Sequence, residues 1–203
     1  IIQNSINKDK LINLEKYLNN HLKKEITEFV DYYIPFRKIS NFPLDDFYYS
    51  WERVYNEQKF NFDSFTHNDF EFINLIFLDN KNLHFKCGII DFQSAKIGFK
   101  GWDLFSILEN PRSYFSRKYN EDLIRYFFEN VNIESDFIVF RNQYYLLNLA
   151  RQTRLLGRWV KLFNEGKKDY LKYLNSTKKR IVVNLGNIKD KKLKKIYEKV
   201  LIN

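Results

Sequence analysis

Cysteine occurs once, as Cys87, and methionine not at all in this chain of 203 residues. One cysteine excludes a disulfide framework and a cysteine-ligated zinc site, and agrees with a reducing compartment. The six glycines, at 88, 98, 101, 157, 166 and 186, are too scattered for a P-loop, a dinucleotide fingerprint or a glycine-rich loop over phosphates. Of the three histidines, His21 and His84 lack the further Cys and His partners that would complete a ligand set, which argues against zinc. No run of about 18 apolar residues is present, and no basic segment followed by an apolar stretch opens the chain. A soluble, cytoplasmic protein without a membrane partner is expected. A chain that begins Ile1-Ile2 and lacks methionine is expected to be a fragment.

Hydrophobic residues make up 44% and aromatic residues 18%, enough for a substantial core and too much for intrinsic disorder. The charge is +9, from 34 Lys and Arg against 25 Asp and Glu. Leu11, Leu14, Leu18, Leu22 and Ile26 recur at helical spacing, which predicts a helix from Leu11 to Val30. After Pro35 and Pro43, the stretch Leu44 to Tyr55 reads as a second helix that buries Phe47, Tyr48, Trp51 and Val54. Leu75 to Leu78, a turn at Asp79 to Asn82, and Leu83 to Ile90 read as a β-hairpin. Beyond it the pattern predicts helices at Gly101 to Glu109, Glu121 to Asn130, Ser135 to Phe163 and Lys191 to Ile202. The expected class is α+β, mostly α-helical. No repeat or linker marks a boundary inside residues 1–203.

Polar residues interrupt apolar surroundings in two places: Phe65-Thr66-His67-Asn68-Asp69-Phe70-Glu71-Phe72-Ile73-Asn74 before the first hairpin strand, and Gly88-Ile89-Ile90-Asp91-Phe92-Gln93 at the end of the second. Strand pairing should make Asn74 and Asp91 neighbours. Phosphoryl transfer from ATP needs hard oxygen ligands to hold magnesium, and a carboxylate to orient the acceptor hydroxyl and take its proton. Asn74 and Asp91 can supply the ligands and Asp69 the carboxylate. His67 is placed to brace the loop by hydrogen bonds. Singly, an Asp at a strand end reads as a turn residue and a buried His as a core residue. Their combination points to chemistry.

His67-x-Asp69 with Asn74 five positions on, and Ile90-Asp91-Phe92 followed by Ala95, Gly98 and Asp103-Leu104, resemble the aminoglycoside phosphotransferase and choline kinase family, whose fold is protein-kinase-like. Asp91-Phe92-Gln93 is most similar to the bacterial kinases that phosphorylate the anomeric hydroxyl of N-acetylmuramate and N-acetylglucosamine in cell-wall recycling. Lys24 to Tyr33, and Gln152 to Phe163 with Gly166-Lys167, also resemble that subgroup, so the likeness spans roughly residues 20 to 175. Ser94 and Phe99 depart from it, where Asp and Pro are usual. The resemblance implies Asp69 as catalytic base, Asn74 and Asp91 as magnesium and nucleotide ligands, and Asp103 as a structural acid at a helix start. It also implies that residues 1–203 are the C-terminal lobe, with the nucleotide lobe and its lysine absent. ATP and magnesium would be required, with a small-molecule substrate as partner.

Arg151, Arg154, Arg158 and Lys161 share a helix face that could meet a substrate's carboxylate or phosphate, or could be a charged outer surface. Tyr32, Tyr33, Trp51 and Trp102 could stack on a sugar, but aromatic stripes more often pack in cores. The basic C-terminus is interleaved with Leu193, Ile196, Tyr197 and Val200, which reads as a solvated helix with one packed face and not as a nucleic-acid site. The rival readings are a choline or ethanolamine kinase, an aminoglycoside kinase, a non-catalytic remnant or binding module, and a nucleic-acid binder driven by charge. The sequence leaves the acceptor and the oligomeric state open.

Overall fold

The computed structural model describes residues 13–17, 19–79, 81 and 86–202. In chain order these form α1 (Asn19–Glu28), α2 (Leu44–Asn56), β1 (Phe62–Thr66), β2 (Leu75–Phe77), β3 (Cys87–Ile89), β4 (Lys96–Phe99), α3 (Trp102–Leu108), α4 (Arg117–Asn130), α5 (Phe137–Asn164), α6 (Leu174–Gly186) and α7 (Lys191–Ile202). The class is α+β and mostly helical. By contacts the chain divides into two compact units, residues up to 17 with 60–144, and residues 18–59 with 145–203. Among the described residues, no helix is long and apolar enough to cross a membrane.

In the first unit β1 pairs antiparallel with β4, Phe65 opposite Ile97 and Thr66 opposite Lys96. The sequence predicted neither strand. The buried positions of β1 are Ser64 and Thr66, not an apolar row, so the alternation that marks a strand is missing. Gly98 lets the pair close, because a Cβ there would lie 3.0 Å from Thr66 Cγ2. The predicted helix from Leu11 is corrected too. Tyr17 N–H donates to Ile97 O at 2.8 Å and Ile97 N–H to Glu15 O at 2.9 Å, so residues 15–17 pair with β4, and α1 starts only at Asn19. Leu11 and Leu18 lie outside the described residues.

The hairpin of β2 and β3 sets Leu75 opposite Ile89 and Phe77 opposite Cys87. Residues 80 and 82–85, including His84, are outside the described set. Beneath the strands the core is aromatic, with ring centroids 4.8 Å apart for Tyr17 and Trp102, 5.0 Å for Trp102 and Phe105, and 5.4 Å for Phe99 and Phe140. Helix α4 begins at Arg117, four residues before the expected Glu121, because the Ser116 side chain caps it by accepting the Tyr119 N–H at 3.2 Å.

In the second unit α1 runs on through a π-helical turn, Phe29–Tyr33, and a short α turn, Ile34–Phe36. Phe29, Tyr33, Phe47, Trp51 and Tyr197 form its aromatic core, while Tyr48 is only half-buried. Gly157 permits the close approach of α5 to α1: a Cβ there would stand 2.1 Å from Glu28 O. Gly166, at φ +90°, ends α5, where Gly166 N–H donates to Phe163 O and Lys167 N–H to Leu162 O, both at 2.9 Å. A 3₁₀ segment, Lys168–Tyr173, and helix α6 follow, neither of which the sequence predicted. Helix α6 buries Thr177 and Asn184 along with Ile181 and Leu185, so polar residues occupy part of its inner face. In α7, Leu193, Ile196, Tyr197 and Val200 are buried, as their spacing predicts.

Candidate active site

The chemistry-bearing residues of the first unit cluster where β1 ends, where the hairpin begins and ends, and where α3 begins. The segment between β1 and β2 is tied down from below. His67 N–H donates to Asp103 Oδ2 at 2.8 Å and Asn68 N–H to Asp103 Oδ1 at 3.1 Å. One carboxylate in the first turn of α3 thus satisfies two adjacent backbone donors, a fit that fixes the loop's path. Burial pushes the Asp103 carboxyl up to about 6, against the downward pull of those two N–H groups and His67, with the Asp69 charge adding to the rise.

His67 is buried, and its Nε2 stands 2.9 Å from Ile90 O. Since a carbonyl only accepts, Nε2 carries the proton in this contact. Its Nδ1 is buried without a hydrogen-bond partner. The ring therefore links the Asp69 loop to the residue before Asp91. A second link runs through Asn74, whose Nδ2 donates to Asp69 O at 2.8 Å and whose carbonyl accepts the Ile90 N–H at 3.1 Å. Asn74 is buried, whereas Asp69 and Asp91 are exposed.

Among the described non-glycine residues, only Lys38, Asn41, Asn68 and Asp91 have positive φ, and two of these flank the cluster, Asn68 at 70° and Asp91 at 66°. Asn and Asp tolerate this conformation better than most residues, but it still costs about 1 kcal/mol or more, and such residues gather at functional sites. At Asp91 it turns the chain out of β3, and Gln93 Nε2 donates to Asp91 Oδ1 at 2.7 Å.

Gln93 as a partner of Asp91 went unrecognised in the sequence. So did the ion pair of Arg112 Nη1 with Glu71 Oε2, at 2.5 Å, which pins the stretch between Asp69 and Asn74. Glu71 lies inside the polar segment itself, but nothing in its spacing points to an arginine 41 residues on.

Arg151 and Arg154 lie on α5 in the second unit. Arg151 is buried, 3% exposed, so it does not belong to a solvated helix face. Arg154 Nε is 4.0 Å from Glu25 Oε1, and Arg158 Nη2 is 2.8 Å from Glu28 Oε1. Tyr33, Trp51 and Trp102 are buried in aromatic cores.

Among the described residues, no group of three or more His, Cys, Asp and Glu could hold a metal. Magnesium asks for less, because it retains waters and takes one or two protein oxygens beside phosphate oxygens. The donor set fits that demand. Asn74 commits its Nδ2 to Asp69 O, which leaves Oδ1 as its remaining side-chain acceptor, and Asp91 keeps Oδ2 clear of the Gln93 contact. The chain matches no family model and no curated protein.

Proposed function

We propose that this chain carries the phosphate-transfer residues of an ATP- and magnesium-dependent phosphotransferase that acts on a hydroxyl of a small molecule. The observation that carries the reading is the pair of links through Asn74 and His67, which tie the Asp69 loop to the exit of β3 at Asp91. Asp69 is the general base: it is exposed, and its backbone is held by Asn74. The acceptor oxygen attacks the γ-phosphorus, the bond to the bridging oxygen breaks, ADP leaves, and the acceptor's proton passes to the Asp69 carboxylate. Asn74 Oδ1 and Asp91 Oδ2 would hold the magnesium, which neutralises charge on the phosphates when bound. His67 and Asp103 position the loop and touch no reactant.

The finer reading, an N-acetylated amino sugar as acceptor, rests on the likeness of Asp91-Phe92-Gln93 to the anomeric sugar kinases. Magnesium-dependent nucleotide binding by the complete gene product tests the metal assignment. Asp91→Ala should abolish the magnesium dependence while the circular dichroism spectrum stays native. An unchanged magnesium dependence would remove Asp91 from the site.

A further inference from the structure

The first unit carries a row of exposed aromatic rings that starts in the Asp69 loop. Phe72 opens the short 3₁₀ turn Phe72–Asn74, three residues after Asp69, a separation that even extended chain holds to about 11 Å. Its ring centroid lies 5.9 Å from that of Phe115, and the Phe115 ring is stacked on Tyr119 at 5.6 Å. The two outer rings stand half in solvent, Phe72 at 50% and Tyr119 at 49% exposed, with Phe115 half-buried between them. Half-exposed rings in contact with one another make a stacking surface.

Polar contacts hold the row in place. Asn74 N–H donates to Glu71 O at 2.9 Å, which closes the turn bearing Phe72. Arg112 Nη1 donates to Glu71 Oε2 at 2.5 Å and so joins that turn to the stretch leading to Phe115. Asn110 Oδ1 accepts the Arg112 N–H at 2.9 Å, and Ser116, by capping α4, fixes the start of the helix that bears Tyr119. Rings positioned in advance lose little freedom when a ligand stacks on them.

We propose that Phe72, Phe115 and Tyr119 form the acceptor platform and that its occupant is a pyranose, which rests on the phosphotransferase reading with Asp69 as base. A base of that kind takes a proton from an alcohol, and a stacking surface takes a ligand with a flat apolar face. A pyranose has both, because the C–H groups of one ring face are apolar while hydroxyls line its edge. A linear amino alcohol has the hydroxyl and no such face. Charge disfavours a quaternary ammonium as well, since Glu71, the carboxylate next to Phe72 in the chain, is already paired with Arg112. The three rings therefore set acceptor specificity by shape, and touch neither nucleotide nor metal.

The test is saturation-transfer NMR of the intact protein with N-acetylglucosamine and then choline, irradiating the aromatic ring protons, alongside steady-state transfer with ATP and magnesium. Saturation should reach the C–H protons of one face of the sugar ring. Phe72→Ala and Tyr119→Ala should each weaken sugar binding about tenfold, the loss of one stacked ring. The acceptor KM should rise to match, with the KM for ATP and the melting temperature retained. Phe72→Tyr and Tyr119→Phe keep the ring and should keep the binding. Undiminished sugar binding by both Ala variants, ring contact with choline in place of the sugar, or no saturable sugar binding overturns the platform. Failure of the phosphotransferase reading is separable: ring-dependent sugar binding without transfer sinks that reading and upholds the sugar platform, whereas transfer with an unaltered acceptor KM in both Ala variants does the reverse.

Discussion

The substitution Asp103→Asn tests how the candidate site is held. The native carboxyl titrates at about 6 in place of 3.8. At about 1.4 kcal/mol per pKa unit, that rise from 3.8 to about 6 corresponds to about 3 kcal/mol. Because the folded protein binds this proton more tightly than the unfolded chain, the group's contribution to stability is greatest below pH 3.8 and falls as pH rises toward 6. Above that it is constant. The amide of the variant does not titrate, so the stability of the variant relative to the native protein should climb by about 2 kcal/mol between about pH 4.5 and 7, the part of the shift inside that window. Set against this is a loss that does not depend on pH. An Asn side chain has one acceptor oxygen for the two N–H groups of His67 and Asn68, and leaving one donor unmatched costs about 1–3 kcal/mol. Urea unfolding at the two pH values measures both terms, and titrations of other groups cancel in the difference between the proteins. A difference that does not change with pH would refute the raised pKa, and with it the picture of a carboxylate buried to serve the loop.

Other outcomes follow from the packing. Gly157→Ala places a methyl group 2.1 Å from Glu28 O, so α1 must shift and the melting temperature should fall by an amount equivalent to about 1–3 kcal/mol. A native melting temperature would contradict the close crossing. Asn148 donates to Asn184 Oδ1 and accepts from Gln152 Nε2, both at 3.0 Å and all buried. Asn148→Ala removes both of these buried bonds and should cost about 2–4 kcal/mol in urea unfolding. Arg112→Ala cuts the exposed pair with Glu71. It should cost under about 1 kcal/mol in stability yet lower the turnover number more than it raises the KM for acceptor; unaltered turnover would show that the pair does not position the Asp69 loop.

Helices α2, α5 and α7 were legible because their inner faces are apolar at helical spacing, with Trp51, Leu156 and Tyr197 buried on them. The hairpin was legible because an apolar run meets a polar turn. Where inner faces are polar, the pattern failed. Ser64 and Thr66 line β1 opposite a glycine-bearing strand, and in α6 Thr177 accepts the Trp159 indole N–H at 2.9 Å while Asn184 meets Asn148. Hydrogen bonds replace apolar burial there, so periodicity reads as loop. The amphipathic spacing before Asn19 misled for a different reason, since the backbone of residues 15–17 pairs with β4. At the candidate site, residue types and spacing singled out His67, Asp69, Asn74 and Asp91, and the family resemblance added Asp103. The left-handed backbone at Asn68 and Asp91, the Gln93 contact and the Arg112 clasp depend on tertiary placement and leave no local mark.

The most direct test is phosphoryl transfer by the complete gene product, monitored by phosphorus NMR with ATP, magnesium and a panel of N-acetylated amino sugars and amino alcohols. A phosphate ester of one acceptor class is expected with native Asp69, and none above background with a folded Asp69→Asn variant. Transfer that survives this substitution, or no transfer to any hydroxyl by a protein shown to be folded, would contradict the assignment of Asp69 as the base of a phosphotransferase.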